Sequence, residues 1–419
     1  MSRTLELGQV PELGELPELM KAVVIRKDRE GDPSTAMRLE EVPPPPCGPN
    51  DVLVLVMAAG VNFNGVWAAR GKPVSVFKMH QDPFHIAGSD ASGIVWKVGS
   101  SVRRWKVGDE VVIHCNQSCG ECPECNGLDP MACSEQRIWG YETNWGSFAQ
   151  FTRVQSQQLL HKPEHLSWQE AASYGLTYFT AYRMLVHQAK VSAGDWVLVW
   201  GAAGGLGIFA VQLCKVLGAH AVGVVSSAEK GELVMRLGAA GWLNRKDFPK
   251  LTYSAPEAPD REQERLAETK RFGQAIRKIS GGKDVDVVFE HVGQETFPAS
   301  VLLAKRFGKI VICGATSGYK LDFDVRHLWM RQKQILGSHF CNAFQAQRAN
   351  QLVLDGAIHP VVDQVFGLAD TPRAHALMAA NGHAGKMVIN VQAGAEAEKG
   401  NGREAPSYGS DAESHAAAG

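Results

Sequence analysis

An α/β fold in two domains, a β-barrel and a doubly wound parallel sheet, is what this sequence predicts, and three observations carry that reading. Residues 196–230 read strand, glycine-rich turn, helix, strand, which is one βαβ unit. Residues 20–114 hold several short β-patterned runs separated by turn residues, the pattern of a small barrel. A last apolar run at 386–391 follows the second domain and returns the chain to the first. The length of 419 residues suits two domains, and a hydrophobic content of 45% is ample for two cores.

In chain order, residues 1–20 are polar with scattered leucines (Leu5, Leu7, Leu13, Leu16, Leu19) and read as a loose arm laid over a neighbour or the domain surface. Residues 20–26 start the first strand. Pro43 to Pro46 form a rigid connector closed by Gly48, Pro49 and Asn50. Strands fit at 51–58, 92–97 and 110–114, with Gly108 and Asp109 turning between the last two. Residues 167–185 read as one helix, opened by Ser167 with Glu170 three residues on, the capping-box pair. A charged stretch at 250–272, with Pro256 and Pro259, reads as a surface insertion holding a helix near 261–271. Buried strands follow at 285–290, 308–313 and 334–338, then a helix at 345–356 ended by Gly356. The division is an arm at 1–20, the barrel at 21–180, the parallel-sheet domain at 181–344, a return at 345–392 and a disordered tail at 393–419.

The βαβ unit is of the Rossmann kind. Its turn places Ala202, Gly204, Gly205, Leu206 and Gly207 between a buried strand and an apolar helix. Small residues there let a pyrophosphate reach the free N–H groups of the helix start. The next strand ends in Ser226 and Ser227, with Lys230 and Arg245 beyond, where an NAD site wants a carboxylate. Hydroxyls and cations suit a 2′-phosphate, so the cofactor reads as NADPH; Glu229 is the contrary residue. His291, just past the strand at 285–290, sits near the nicotinamide end or shapes that loop.

A net charge of −1 gives no reason to expect nucleic acid or an anionic membrane as partner. No apolar run approaches the roughly 20 residues of a spanning helix, and the N-terminus lacks a basic, apolar leader, so the expected compartment is the cytoplasm. Nine cysteines there argue for thiols or metal ligands. Cys119, Cys122, Cys125 and Cys133 have the spacing of a closed tetrahedral zinc site, the alternative being a lobe of free thiols; Cys115 falls outside it. In the aromatic stretch 136–153, Glu142 lies between Tyr141 and Trp145 as either a hydrogen-bonded structural acid or a site residue.

This arrangement resembles the medium-chain dehydrogenases/reductases over about residues 20–392, with a GroES-like catalytic barrel and a Rossmann domain. Members with catalytic zinc carry a Cys where this chain has VNFNG (61–65) and Gly-His-Glu where it has Gly88, Ser89 and Asp90, so a zinc alcohol dehydrogenase is not expected. The blocks VNFNGVWA, HIAGSDASGIVWKVG, QRIWGYET, LWMRQKQILGSHF and AHALM are similar to the crotonyl-CoA carboxylase/reductase group. That resemblance implies hydride transfer from NADPH to the β-carbon of an enoyl-CoA thioester and capture of CO2 by the α-carbon. It implies a CO2 pocket from Asn64 (or Asn62), Tyr141, Glu142 and His339, and a homotetramer built as a dimer of dimers. Where the group usually has Pro in the loop after 285–290, this chain has Val292. Arg326 and Arg331 are candidates for CoA or NADP phosphates, or for an ion pair. A plain enoyl-CoA reductase, a quinone reductase and a non-enzymatic NADPH-binding regulatory or structural protein on this fold are the competing readings.

Overall fold

The computed structural model describes residues 4–252, 259–380 and 382–393. Its six-stranded sheet is wholly parallel. Its order runs Gly241–Asn244, His220–Val225, Trp196–Val199, Val285–Glu290, Ala304–Ile312, Gln334–Gly337. Trp196–Val199 is buried throughout, as expected of a central strand covered by helices on both faces. Sequence order reverses between this strand and Val285–Glu290, so the ligand crevice opens at their carboxyl ends.

The barrel is built on Asp51–Gly60, which pairs with Ala91–Val98, Phe151–Gln155 and the returning strand Lys386–Asn390. Its buried face gathers Val52, Val54, Val56, Val95, Val111, Ile113 and Ile389 into one core. Just before Lys386–Asn390, Gly385 N–H donates to the Ala203 carbonyl at 2.8 Å, on the glycine turn itself. The two domains are thus tied at the point where a dinucleotide would lie.

Three expectations are corrected. The arm is docked rather than loose. Leu5 is buried, Gly8 N–H donates to Gln392 (2.7 Å), and Trp96 Nε1 donates to the Glu15 carbonyl (2.6 Å). The single helix at 167–185 is broken into Trp168–Ala171, Thr177–Tyr182 and a π-helical turn, Arg183–Gln188. The break follows from Asp90, whose buried carboxylate takes the Leu176 N–H at 2.5 Å and pulls the chain off its helical path. The surface helix is longer than expected, Pro259–Ile279. Pro256 and residues 394–419 of the tail expected to be disordered lie outside the described residues, while Ala393 is buried and donates its N–H to the Met57 carbonyl (3.1 Å). Among those described, no helix is long and apolar enough to cross a membrane.

Candidate active site

The glycine turn leaves strand Trp196–Val199 and opens helix Gly207–Val216, whose first residues are buried. A Cβ on Gly207 would stand 2.4 Å from the Gly201 carbonyl oxygen, so only glycine closes this turn. The small turn residues Ala202, Gly204 and Gly205 and the neighbouring Leu206 therefore present backbone to the crevice, the requirement for a pyrophosphate. At the end of His220–Val225, Ser227 caps the next helix through Lys230 N–H (3.4 Å), and Ser226 lies half-exposed beside it. Lys230 Nζ donates to the His383 carbonyl (2.8 Å), while Arg245 stays exposed. Glu229 is an exposed acid whose pKa is lowered by its hydrogen bond to Ser227, a helix-start role compatible with a phosphate nearby.

His291 reaches the crevice from the other side of the switch point. Its Nε2 donates to the Trp200 carbonyl at 2.9 Å, and burial lowers its pKa against the pull of Glu290, which keeps the ring neutral. The loop after it owes its shape to Glu290. This buried carboxylate accepts from Val292 N–H (2.8 Å), Gly293 N–H (3.2 Å), Thr296 Oγ1 and Ser300 Oγ. Proline at 292 could not make the first of these bonds.

The predicted CO2 residues are held by two chains of contacts. Asn64 is buried on helix Phe63–Arg70 and donates to Ser89 Oγ (2.6 Å), which donates to the Trp139 carbonyl (2.6 Å). Gly140 follows with φ of 71°, and a Cβ there would meet the Gly88 carbonyl oxygen at 1.9 Å, so the two backbone segments touch. Glu142 takes the Ile138 N–H at 2.8 Å. Ile138 is the strand partner of Asn116, whose amide donates to the Cys341 carbonyl (3.0 Å), as does His114 Nε2 (2.7 Å). Cys341 lies two residues past His339, so the Glu142 and His339 segments share one clamp. No hydrogen bond among the described residues joins Glu142 to His339 directly. His339 has an exposed edge, but partial burial and then the Arg183 charge lower its pKa. Tyr141 Oη donates to the Lys72 carbonyl (3.1 Å), and burial, with Tyr319 and Glu142 nearby, raises its pKa to about 12. A cavity of about 310 Å³ lies between Trp67 of the barrel and Ile312, Gly314, Ala315, Tyr319 and Leu321 of the nucleotide domain.

Asn62 is committed elsewhere. Its amide donates to Asp90 (2.8 Å) and accepts from Lys386 Nζ (2.5 Å); Lys386 in turn pairs with Asp90 at 3.2 Å, both side chains being shut off from solvent. This network occupies the position at which the resemblance places catalytic-zinc ligands, and the sequence reading missed it. Burial raises the Asp90 pKa and lowers that of Lys386, each opposed by the partner's charge.

The four lobe cysteines bring their sulfurs within 4.8 Å of one another, with Cys119 at 3.9 Å from Cys125 and 3.6 Å from Cys133. Zn–S bonds of about 2.3 Å in a tetrahedron require edges of about 3.8 Å, so this donor set fits zinc. Backbone N–H groups of Glu121 and Cys122 draw the Cys119 thiol down to about 7. Cys115 is buried outside the cluster.

Known proteins share this fold. The alcohol dehydrogenase GroES-like domain family matches residues 48–164 and the zinc-binding dehydrogenase family matches 205–355. A crotonyl-CoA carboxylase/reductase of Cereibacter sphaeroides is 54% identical over 395 residues, 93% of this chain and 91% of that protein. A crotonyl-CoA carboxylase/reductase solved in complex with NADP superimposes with a TM-score of 0.87 at 44% identity, over 93% of this chain and 99% of that one. A 2-octenoyl-CoA carboxylase reductase in complex with NADP and 2-octenoyl-CoA gives a TM-score of 0.85 at 37% identity, over 90% and 89%. On this likeness, which spans both domains, the chain belongs to the crotonyl-CoA carboxylase/reductase group of the medium-chain dehydrogenase/reductase superfamily.

Proposed function

We propose that this chain catalyses the NADPH-dependent reductive carboxylation of a short-chain enoyl-CoA, taking crotonyl-CoA and CO2 to ethylmalonyl-CoA. The observation that carries the reading is the pair of contact chains that fix Asn64 against Trp139 and bind the Glu142 and His339 segments into one frame. Bound NADPH supplies a hydride to the β-carbon of the enoyl thioester. The residues of the chain then govern what meets the α-carbon of the enolate. CO2 is neutral and weakly bound, so it needs dipoles already in place. Ser89 orients the Asn64 amide, which has a second N–H to offer. Glu142 and His339 hold water away from the carbon, and the Tyr141 ring walls the site. A neutral His339 is not an acid able to protonate the enolate.

The glycine turn with Ser226, Ser227, Lys230 and Arg245 binds NADPH, and His291 borders its nicotinamide end. Replacing Ser226 by Asp puts a carboxylate beside the 2′-phosphate. The expected result is a fall of about tenfold or more in the NADPH/NADH ratio of kcat/KM, and an unchanged ratio removes this assignment. Of the two cations considered for CoA or NADP phosphates, Arg331 lines a cavity of about 390 Å³ at the amino ends of strands Val285–Glu290, Ala304–Ile312 and Gln334–Gly337, away from the crevice. Arg326, by contrast, is spent on a bidentate pair with Asp324. Cys119, Cys122, Cys125 and Cys133 hold a structural zinc. Elemental analysis should find one zinc per chain, and a Cys133→Ser variant without it should lose thermal stability; a metal-free wild type overturns the assignment. The exposed edge strand Gln334–Gly337, with Trp329 62% and Met330 56% exposed beside it, supports pairing of copies through the nucleotide domains and, from there, a tetramer. The cytoplasm is the compartment that suits reduced lobe thiols and NADPH.

The deciding experiment is product analysis by mass spectrometry after incubation with crotonyl-CoA and NADPH, with and without bicarbonate. A product heavier than butyryl-CoA by one CO2 is expected. Butyryl-CoA alone at saturating CO2 leaves the fold and cofactor standing and reduces the protein to a plain enoyl-CoA reductase.

A further inference from the structure

Arg183 is a residue that neither the fold nor the reaction obviously requires. It opens the π-helical turn Arg183–Gln188, a kind of insertion frequent at functional sites. Its guanidinium is buried, 7% exposed, and spans two domains. One nitrogen donates to Gln345 Oε1 (2.9 Å) and another to Asp129 Oδ2 (2.6 Å), in the loop between the third and fourth cysteines. The other Asp129 oxygen accepts from Asn342 (3.0 Å), three residues past His339. Asn342 and Gln345 also cap each other at the start of helix Ala343–Leu354. Between His339 and this cap, Phe340 has a φ of 40°, a left-handed conformation that a bulky residue adopts only under constraint. The backbone that aims His339 is therefore pinned by Asp129, Arg183, His114 and Asn116.

We propose that Arg183, anchored by Asp129 and Gln345, is a positioning residue that both aims the His339 imidazole and keeps it uncharged, and so decides whether the enolate meets CO2 or a proton. This rests on the carboxylation reading above. The chemistry is a competition. An imidazolium N–H facing the α-carbon would break in favour of a new C–H bond, leaving neutral imidazole and butyryl-CoA; solvent would then restore the proton to the ring. A fixed guanidinium makes that imidazolium costly. The charged and titratable groups facing Arg183 are Asp129, His187, His339 and the Cys341 thiol, with Arg348 beside His187. Burial tends to raise the Asp129 pKa, but Arg183 and Asn342 hold it below the usual value, so Asp129 stays a carboxylate and the guanidinium stays anchored. His339 moves in the sense required, below its ordinary 6.5, through burial first and the Arg183 charge second.

The test is the butyryl-CoA to ethylmalonyl-CoA ratio from about pH 8 to about pH 6 at constant dissolved CO2. Wild type should give a low, nearly flat ratio. Arg183→Gln should give a ratio that climbs about tenfold as pH falls, Arg183→Lys should restore the flat profile, and Arg183→Gln with His339→Asn should abolish the climb. A wild-type profile in Arg183→Gln overturns the proposal. A second measurement does not depend on that variant folding: titration of the His339 ring by NMR, its signal identified by loss in His339→Asn. A wild-type pKa at or above 6.5 overturns the proposal as well. If wild type makes no ethylmalonyl-CoA, the carboxylation reading falls, while the His339 titration in wild type compared with Arg183→Gln still judges the coupling of Arg183 to His339.

Discussion

Lys386→Met is expected to cost the folded protein about 3–5 kcal/mol, because it strands a carboxylate in the interior. Lys386 Nζ contacts Asp90 (3.2 Å), Asn62 (2.5 Å) and the Val61 carbonyl (3.2 Å), and neither Lys386 nor Asp90 exceeds 1% exposure. Once the ammonium is gone, Asp90 keeps only the Asn62 amide and the Leu176 N–H, and its folded pKa rises further above the unfolded value. A folded state that binds the extra proton gains stability as pH falls, so the deficit should narrow from about pH 8 to about pH 5. Urea unfolding at fixed protein concentration measures this. Adding Asp90→Asn should recover much of the loss, since an amide fits the same hydrogen bonds without a charge. A single variant within about 1 kcal/mol of wild type at every pH would mean that the pair is not buried as described. Function should suffer too. The Lys386 stem lies against the glycine turn, where a Cβ on Gly205 would meet its Cδ at 2.8 Å, and the head fixes the segment leading to Asn64.

This pair marks the limit of what the sequence could reveal. The βαβ unit was legible because its signals are local: a buried strand, a turn that sterics restrict to glycine, and an unbroken apolar helix all lie within a few residues. The strand at 285–290 and the returning strand were legible for the same reason. Asp90 and Lys386 are 296 positions apart and neither carries a local signature, so the chain gives Asp90 away only as a residue standing where a zinc ligand is absent. The break at Gly175 and Leu176 was hidden likewise, since helix propensity along 167–185 is overridden by one long-range bond to Asp90. The arm looked loose because its leucines lack period, yet single contacts to Trp96 and Gln392 suffice to dock it. Of the site, residue types and spacing pointed to Asn64, Tyr141, Glu142 and His339 only through a resemblance. The bonds that relate them, through Ser89, Ile138, Asn116 and Cys341, are visible only in three dimensions.

Those bonds make the second large effect specific. Glu142→Ala removes the acceptor for the Ile138 N–H and, on the proposed reading, opens space beside the α-carbon; His339→Asn shortens the other segment of the clamp while keeping a polar end. Neither residue carries the hydride, so NADPH oxidation with crotonyl-CoA should stay within a few-fold of wild type. The product should change instead. Water admitted to the enolate protonates it faster than CO2 can be captured, and the share of butyryl-CoA should rise about tenfold or more, a shift of about 1.4 kcal/mol between the two barriers. Raising dissolved CO2 should restore part of the carboxylated product, because the competition is kinetic. The double variant should exceed either single change by less than the sum, since one water held by two groups is lost when either goes. Equal loss of both products in the single variants would mean the opposite: Glu142 would be no more than a brace for the Ile138 turn and His339 a brace for the strand end, and the choice between CO2 and proton would have to lie in the Asn64 wall alone.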